Sequence, residues 1–322
     1  MKKIVITGGA GFIGSWVLQK LFSTYQNAEF SVIDNLCSGS KETIQKFINN
    51  ERVNFYEVDL KNLSDIKEIF ANSEYVFHFA ANADIAKATA DPTIDFYEGT
   101  LLAQNAIEAA RINNVKNFVY ASGSGVYGEK KFVSLNESES NMEPISPYGA
   151  SKLGCESILS AYSYMYDMKC TCFRFGNVVG GGQTHGVGYD FVNRLIKDPT
   201  KLTILGNGEQ SKPYVHVSDV VNAVTSLPLK QSQNFEVYNI APTDRISVNE
   251  IKTEILKQLN ISEQINISYT GGDRGWKGDV PIVVLDAEKA RSHGWIEHYN
   301  SHEAISRSIQ ELIAGINAGN TK

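Results

Sequence analysis

The sequence predicts an α/β protein with a doubly wound parallel sheet and a smaller C-terminal lobe. Short apolar segments alternate with amphipathic ones from the first residue onward, as in parallel strands that are covered by helices on both faces. A glycine-rich segment joins the first predicted strand to the first predicted helix, and an acidic residue ends the second strand. After Phe175 the elements become shorter and glycines more frequent, which indicates a second lobe with close-fitting loops.

The predicted elements follow one another along the first half of the chain. The strands are expected at residues 3–7, in a run that ends with 31–34, and at 53–58, 75–80, 118–122 and 170–175. The helices are expected at residues 12–22, 41–48, 63–70, 95–113 and 148–166. Residues 1–176 are therefore expected to form a Rossmann domain, to which a segment near 213–241 returns. Residues 177–322 are expected to form mainly the second lobe, with a small polar tail at 314–322 that frays.

Composition argues against several classes of function. The 322 residues carry a net charge of −6, which disfavours general binding to nucleic acid or to anionic membranes. No apolar run approaches the ~20 residues of a membrane span. The first apolar run breaks at Gly8 and Gly9, too early for a secretory signal, so we expect a cytoplasmic protein. The four cysteines lack further ligands at metal-binding spacing and are expected to be free thiols, with no metal site.

A phosphate-binding loop is predicted between the first strand and the first helix. Gly8, Gly11 and Gly14 are spaced Gly-x-x-Gly-x-x-Gly, which allows a tight turn and close approach of the backbone to a pyrophosphate. Asp34 ends the second strand 20 residues after Gly14, where a carboxylate can bind the adenosine ribose and repel a 2′-phosphate. No arginine follows at Asn35 or the next two positions. The pattern therefore predicts NAD in preference to NADP.

Further cofactor contacts are predicted where the third and fourth strands end. Asp59 follows the third strand and could reach the adenine, with Leu60 packing on it. Phe79, Ala80 and Ala81 follow the fourth strand, where small residues let the backbone pass under a cofactor. Each position alone is more often structural than functional. Together they favour a ligand site, because ligands bind at the carboxyl ends of such strands.

A catalytic pair is predicted at the start of the helix near residue 148. Tyr148 and Lys152 are four residues apart and so share one helix face. A phenol with an ordinary pKa near ~10 is a poor base at neutral pH. A neighbouring ammonium, together with a positive nicotinamide ring, is expected to lower the pKa of Tyr148. Tyr148 could then take a proton from a substrate alcohol while hydride passes to NAD.

These motifs resemble the extended short-chain dehydrogenase/reductase family, specifically its NAD-dependent nucleotide-sugar epimerases and dehydratases. The resemblance runs from Lys3 to about Trp295. Besides the glycine loop and the Tyr/Lys pair, it rests on Asp34, Asp59-Leu60, His78-Phe79-Ala80-Ala81, Val126-Tyr127-Gly128, Arg174-Phe175-Gly176-Asn177-Val178, Gly206-Asn207-Gly208-Glu209-Gln210, the segment 214–219 and the segment 274–281.

The resemblance implies a Rossmann fold with NAD as cofactor and a nucleotide-diphosphate sugar as substrate. The implied cofactor contacts are Gly8, Gly11, Phe12, Ile13, Gly14, Asp34, Asn35, Asp59, Leu60, Phe79, Ala80, Ala81, Tyr148 and Lys152. The implied substrate contacts are Asn177, Lys212, Tyr214 and Arg274. Relatives usually carry arginine where Lys212 stands. Members of the family commonly dimerise through the helices that correspond to 95–113 and 148–166, so a homodimer is expected.

The chain departs from the family pattern within residues 121–128. Relatives place a serine or threonine, which hydrogen-bonds the reacting hydroxyl, where this chain has Gly123. Ser122 or Ser124 is expected to replace it, and Ser124 is preferred. Dehydratases resemble Thr-Asp-Glu in this segment and decarboxylating relatives keep a glutamate, whereas this chain has Gly-Ser-Gly at 123–125. Dehydration at C4 and C6 and decarboxylation are therefore disfavoured.

Oxidation at C4 of the sugar is the chemistry that remains. The first hypothesis is a nucleotide-sugar 4-epimerase, in which the loops near 180–188 and 270–276 leave room for a sugar to rotate. The alternative is a nucleotide-sugar C4 dehydrogenase. A catalytically weak, NAD-binding regulatory protein is conceivable because of Gly123, but the intact Tyr148 and Lys152 count against it.

Overall fold

A computed structural model of the chain describes residues 1–262 and 264–319. Its strands are, in chain order, β1 (Lys3–Thr7), β2 (Glu29–Asp34), β3 (Val53–Glu57), β4 (Tyr75–His78), β5 (Asn117–Gly123), β6 (Lys169–Phe175), β7 (Asn177–Val179), β8 (Lys201–Ile204), β9 (Ser211–Lys212), β10 (Tyr214–His216), β11 (Phe235–Ile240), β12 (Ile246–Ser247) and β13 (Asn266–Tyr269). Its α-helices are α1 (Phe12–Thr24), α2 (Lys41–Ile48), α3 (Leu63–Ile66), α4 (Leu101–Ile112), α5 (Pro147–Tyr166), α6 (Val187–Lys197), α7 (Val217–Ser226), α8 (Val248–Gln258), α9 (Glu288–Ser292) and α10 (Ser301–Asn317).

Seven parallel strands form the central sheet in the order β3-β2-β1-β4-β5-β6-β11. The chain winds outward from β1 in one direction through β2 and β3, and in the other direction from β4. Strand order therefore reverses between β1 and β4, which is where ligands bind in this class of sheet. The fold class predicted from the sequence is confirmed. β11 lies in the segment expected to return to the first domain, and it pairs with β6.

The two faces of the sheet are covered by separate apolar layers. Ile4, Val5 and Ile6 of β1 are all fully buried. Ile4 and Ile6 pack in the layer formed with α1 and α7, whereas Val5 packs in the layer formed with α4 and α5. Because successive residues of a strand point to opposite faces, a strand that is buried on both sides has a continuous apolar sequence. This arrangement explains why the strands do not alternate between apolar and polar residues.

The second lobe has its own core, built mainly from α6, α8, α10 and β8. Three two-stranded pairs complete it, β7 with β10, β9 with β12 and β8 with β13. The separate core supports the division of the chain into 1–176 and 177–322, which stays a prediction. Within the described residues, every helix is too short or too polar to span a bilayer.

Three elements differ from the sequence prediction. The helix expected at 63–70 is one α-helical turn, α3, followed by a 3-10 helix at Lys67–Phe70. The helix expected at 95–113 begins with π-helical residues, Phe96–Thr100, before α4. There a Cβ on Gly99 would lie 2.6 Å from the Ser151 hydroxyl, so α5 approaches the backbone closely. The tail does not fray at 314–317, because α10 continues to Asn317 on an apolar face. Residues 320–322 of that tail lie outside the described residues.

Candidate active site

A cleft of about 460 Å³ lies along the carboxyl edge of the sheet, between the first domain and the second lobe. Arg274 is the one predicted site residue that does not line it. Those that line it are Gly8, Gly11, Phe12, Ile13, Gly14, Asp34, Asn35, Asp59, Leu60, Phe79, Ala80, Ala81, Ser122, Ser124, Tyr148, Lys152, Asn177, Lys212 and Tyr214.

The glycine loop brings the ends of β1 and β4 into close contact. Gly8 has a φ of +67°, and a Cβ there would lie 2.6 Å from the backbone nitrogen of Ala80. A Cβ on Gly14 would collide with the carbonyl oxygen of Gly8. α1 begins after Gly11, and among the described residues no side chain caps its first turn. Free N–H groups at a helix start suit an anion, so the loop fits the pyrophosphate of a dinucleotide.

Asp34 stabilises the same loop from the end of β2. Its carboxylate accepts hydrogen bonds from the N–H groups of Ala10 (3.0 Å) and Leu36 (2.9 Å). Burial raises the pKa of Asp34, and these N–H groups oppose that shift. A carboxylate has about four acceptor sites, so Asp34 keeps capacity for a ribose hydroxyl. The Asn35 amide donates to Asp59 (3.1 Å), which links the predicted ribose and adenine positions.

Local sequence fixes the start of α5, the helix that carries the Tyr148/Lys152 pair. Ser146 caps α5 by accepting a hydrogen bond from the N–H of Gly149 (3.2 Å), and Pro147 occupies the first turn. Lys152 is buried, and its Nζ donates to the carbonyl oxygen of Ala121 in β5 (2.7 Å). The same Nζ lies 5.4 Å from the centre of the Tyr148 ring. The structure therefore brings the pair together at the cleft, beside the end of β5.

Burial dominates the protonation of this pair. It raises the pKa of Tyr148 to about 12, and the charge of Asp95 adds to the shift. It also lowers the pKa of Lys152. The protein's own groups thus shift the pKa of the phenol opposite to the predicted direction, because burial disfavours the charged phenolate. The sequence analysis also expected the positive nicotinamide ring to lower the pKa of Tyr148. This ring would therefore have to stabilise the phenolate.

The two candidate serines lie in different environments. Ser122 is buried and donates a hydrogen bond to Glu156 (2.6 Å), which is also paired with Arg174 (2.7 Å). This bond uses the proton of Ser122, so the structure does not place its hydroxyl as a donor to a substrate. Ser124 is half-buried in the cleft, and its hydroxyl has no hydrogen-bond partner among the described residues. A Cβ on Gly123 would lie 3.8 Å from the Tyr148 hydroxyl. The position at which this chain departs from the family pattern therefore lies directly beside the Tyr148/Lys152 pair.

On the substrate side, Asn177 and Tyr214 face each other across the pairing of β7 and β10. Burial raises the pKa of Tyr214 to about 12, although its hydroxyl is hydrogen-bonded to Asn177. Lys212 forms an ion pair with Asp279, which lines the cleft as well. These three predicted substrate contacts therefore lie together.

Arg274 does not fit its predicted position in the cleft. Its guanidinium lies 3.3 Å from the carboxylate of Glu129 and 3.0 Å from that of Asp273. These two carboxylates hold the side chain away from the cleft. The sequence prediction that Arg274 contacts the substrate is not matched by this arrangement.

Several cleft residues were missed from the sequence. Asn82 directly follows Ala81, so the rule about strand ends could have found it. Ser146, Gln183 and His185 also line the cleft. Gln183 and His185 lie in the glycine-rich loop 180–188. From the sequence, this loop was expected only to leave space for the sugar to rotate. No group of three or more His, Cys, Asp and Glu side chains suited to a metal occurs within residues 1–262 and 264–319.

Known proteins are similar to this chain in sequence and fold. Residues 4–241 match the model of the NAD dependent epimerase/dehydratase family. The UDP-glucose 4-epimerase of Yersinia enterocolitica is 30% identical over 260 residues, which cover 74% of this chain and 76% of that protein. The crystal structure of the UDP-glucose 4-epimerase of Thermotoga maritima with UDP-glucose has 31% identity and a TM-score of 0.87, over 98% of this chain and 99% of that one.

A complex with NAD is also similar. The UDP-glucose 4-epimerase of Thermus thermophilus with NAD has 29% identity and a TM-score of 0.83, over 97% of this chain and 99% of that one. The chain belongs to the NAD-dependent epimerase/dehydratase family, as the motifs predicted, and NAD is its cofactor.

Proposed function

We propose that this protein is a nucleotide-sugar 4-epimerase that acts on UDP-sugars. The observation that carries the proposal is the Tyr148/Lys152 pair, which lines the cleft beside a Gly-Ser-Gly segment without a carboxylate. The similar proteins from Yersinia, Thermotoga and Thermus are all UDP-glucose 4-epimerases, which favours a UDP-sugar over other nucleotide sugars.

The residues of the pair divide the work of moving a proton. Tyr148 accepts the proton of the C4 hydroxyl and later returns one. Lys152 uses one donor on Ala121, so two N–H donors remain for the phenolate oxygen and a ribose hydroxyl. NAD held along the glycine loop and Asp34 would supply the hydride acceptor and donor for C4. Ser124 donates a hydrogen bond to the C4 oxygen, in place of the side chain that Gly123 lacks.

The carboxylates near the pair argue against a dehydratase. Glu156 is buried, forms an ion pair with Arg174 and accepts a hydrogen bond from Ser122. Among the described residues, the carboxylates that line the cleft are Asp34, Asp59, Glu98 and Asp279. Asp34 and Asp59 lie on the proposed adenosine side, and Glu98 and Asp279 are each paired with a lysine. Elimination of water needs a free acid and base next to the sugar, and none of these carboxylates suits that role.

The proposed substrate contacts are Asn177, Tyr214 and Lys212. A diphosphate is doubly anionic, so it competes with Asp279 for the ammonium of Lys212. Arg274 could contact the substrate only by leaving Glu129 and Asp273.

The proposed homodimer forms through α4, α5 and the π-helical segment before α4. Large apolar side chains are exposed on these elements, namely Phe96, Tyr97, Ile112, Tyr164, Met165 and Tyr166.

The test is turnover of UDP-, GDP- and dTDP-sugars in deuterated water, followed by mass spectrometry and NMR. We expect the C4 epimer of a UDP-sugar, without net NADH and without deuterium on carbon. Net NADH or a released keto sugar would instead establish the dehydrogenase. Deuterium on carbon would establish an enolising reaction such as dehydration. Binding of NAD without turnover of any sugar would instead support the hypothesis of a catalytically weak, NAD-binding regulatory protein.

Two substitutions test the catalytic roles. Tyr148→Phe removes the base, so turnover should fall by at least ~10²-fold while bound NAD is retained. Ser124→Ala removes one hydrogen bond to the reacting oxygen, so turnover should fall less, by roughly tenfold. Rates of Tyr148→Phe near those of the unchanged protein would remove this residue from the mechanism.

A further inference from the structure

We infer that Glu311, on the C-terminal helix α10, is a positioning residue that fixes the glycine-rich loop 180–188 against the cleft. Residues 183–188 of this loop line the cleft. The inference goes beyond the catalytic pair, and its kinetic readout rests on the proposed function.

The peptide of Gly181 is held from both sides. Its N–H donates to Oε2 of Glu311 (2.7 Å), and its carbonyl oxygen accepts from Nε1 of Trp16 (2.9 Å). Trp16 belongs to α1, the helix that begins at the phosphate loop. One peptide of the loop therefore joins the cofactor helix to the C-terminal helix, two elements that are far apart in sequence.

Glu311 is held in place by two other donors. His216 Nε2 lies 3.2 Å from Oε2, and Arg307 Nε donates to Oε1 (2.7 Å). The N–H of Ser218 donates to Nδ1 of His216 (3.3 Å), so Nε2 carries the hydrogen that points to Glu311. Burial opposes ionisation, but the hydrogen bonds from His216, Arg307 and Gly181 lower the pKa of Glu311 to about 2. The carboxylate is thus charged at neutral pH, and hydrogen bonds to a charged acceptor are the stronger ones.

A second anchor lies one helical turn earlier on α10. The buried side chain of Gln183 accepts from the N–H of Gly180 (3.0 Å) and from the hydroxyl of Ser308 (3.0 Å). Its amide nitrogen donates to the carbonyl oxygen of His185 (3.0 Å). Ser308 and Glu311 share one face of the helix because they are three residues apart. This face therefore supports the loop at two points.

The loop depends on such support because its backbone is intrinsically permissive. Gly180, Gly182 and Gly186 have φ angles of +147°, +88° and +98°, and glycine visits many other conformations at little cost. A loop that is not held would have to be ordered when ligand binds, which lowers affinity. Tyr148 and Lys152 lie on α5 and do not contact Glu311. Loss of the anchor should therefore weaken binding and leave the chemical step nearly unchanged.

The experiment compares Glu311→Ala with Gln310→Ala in the NAD-loaded enzyme. Gln310 is exposed on the same helix, so its truncation controls for helix propensity and loss of side-chain volume. For Glu311→Ala we expect the Kd for UDP and the KM for the UDP-sugar to rise roughly tenfold, with kcat within about twofold. Amide hydrogen exchange in 180–188 should increase. Gln310→Ala should change none of these values.

A double-mutant cycle sharpens the test. Trp16→Phe removes the donor on the other side of the Gly181 peptide, so combining it with Glu311→Ala should raise the Kd for UDP by less than the product of the single effects. If Glu311→Ala does not fold, Glu311→Gln keeps the shape without the charge and should shift the same values less.

The outcomes separate this inference from the proposed function. Unchanged Kd for UDP and unchanged exchange in 180–188 would overturn the inference, as would a loss confined to kcat. A raised Kd and faster exchange in a protein that turns over no UDP-sugar would support the positioning role and reject the epimerase.

Discussion

The two sides of the cleft are prepared for their ligands in different ways. On the cofactor side, backbone groups dominate. Gly8 packs against the backbone after β4, and Asp34 is held by two N–H groups of the surrounding loop. These contacts are all within the protein, so the loop is held by its own backbone and by Asp34 rather than by a ligand.

The proposed substrate side instead keeps its cation neutralised. Lys212, which lines the cleft, is paired with Asp279. An anionic substrate would have to replace this carboxylate, so its affinity is the difference between two ion pairs. We therefore expect changes in the backbone-held glycine loop to act mainly on NAD affinity, and changes in the ion pair of Lys212 and Asp279 to act on substrate affinity. Each side should respond differently to mutation.

Between the two sides, the larger expected effect on ligand affinity is on the cofactor side, for Gly8→Ala. An added Cβ would meet the backbone nitrogen of Ala80 at 2.6 Å, with the glycine at a φ of +67°. Neither backbone can yield easily, and such strain costs about 1–3 kcal/mol. NAD affinity should fall by about tenfold to a hundredfold, as measured by titration of the protein after removal of bound cofactor.

Gly154→Ala is the matched control for this change. Gly154 lies within α5, where an added Cβ would meet nothing within 4 Å. Alanine is favoured over glycine inside a helix by roughly 0.5–1 kcal/mol, so thermal stability should rise slightly with NAD affinity unchanged. Equal NAD affinity in both variants would show that the loop is less rigid than its contacts indicate.

An intermediate effect is expected on the substrate side, for Lys212→Ala. Loss of the cation should raise the KM for a UDP-sugar roughly tenfold, since hydrogen bonds to charged groups are the stronger class. Asp279→Asn should act in the opposite direction and lower the KM a few-fold, because it removes the competing carboxylate while keeping an acceptor of the same shape. Steady-state kinetics of both variants measure the difference. If both raised the KM equally, the ion pair would be structural, and the idea of partner exchange would fail.

The same contrast explains what could be predicted from the sequence. The fold and the cofactor side depend on local patterns, such as glycine spacing and the residue after each strand. Gly8, Gly14 and Asp34 line the cleft, and their contact with the cofactor stays a prediction. Tyr148 and Lys152 could be predicted as a pair because they are separated by one helical turn, and their catalytic role stays a prediction as well.

Long-range pairings could not be predicted in this way. Ser122 was a candidate because it adjoins Gly123, but its side chain is bonded to Glu156, 34 residues away. Arg274 was assigned to the substrate, yet Glu129 pairs with it across 145 residues. Nothing in a local pattern indicates which carboxylate will reach which cation. For the same reason the contact of Glu311 with Gly181 has no signal in the sequence.

Asp95 offers the smallest expected effect, through its charge near Tyr148. It is buried, and its carboxylate accepts from the amide of Asn82 (2.9 Å) while its carbonyl oxygen accepts from Ser151 (2.8 Å). Its charge raises the pKa of Tyr148, so Asp95→Asn should lower that pKa. The acidic limb of kcat/KM against pH should then move to lower pH, so the rate measured on that limb should rise.

The control for this shift is Asp91→Asn. Asp91 is an exposed carboxylate whose charge affects the pKa of Asp95. The charge of Asp95, in turn, affects the pKa of Tyr148 and of Lys152 on α5. Asp91→Asn should leave the acidic limb in place. Asp95 also favours the charged form of Lys152, and a less charged lysine stabilises the phenolate less. An acidic limb that moves to higher pH in Asp95→Asn would therefore mean that this loss outweighs the direct lowering of the pKa of Tyr148.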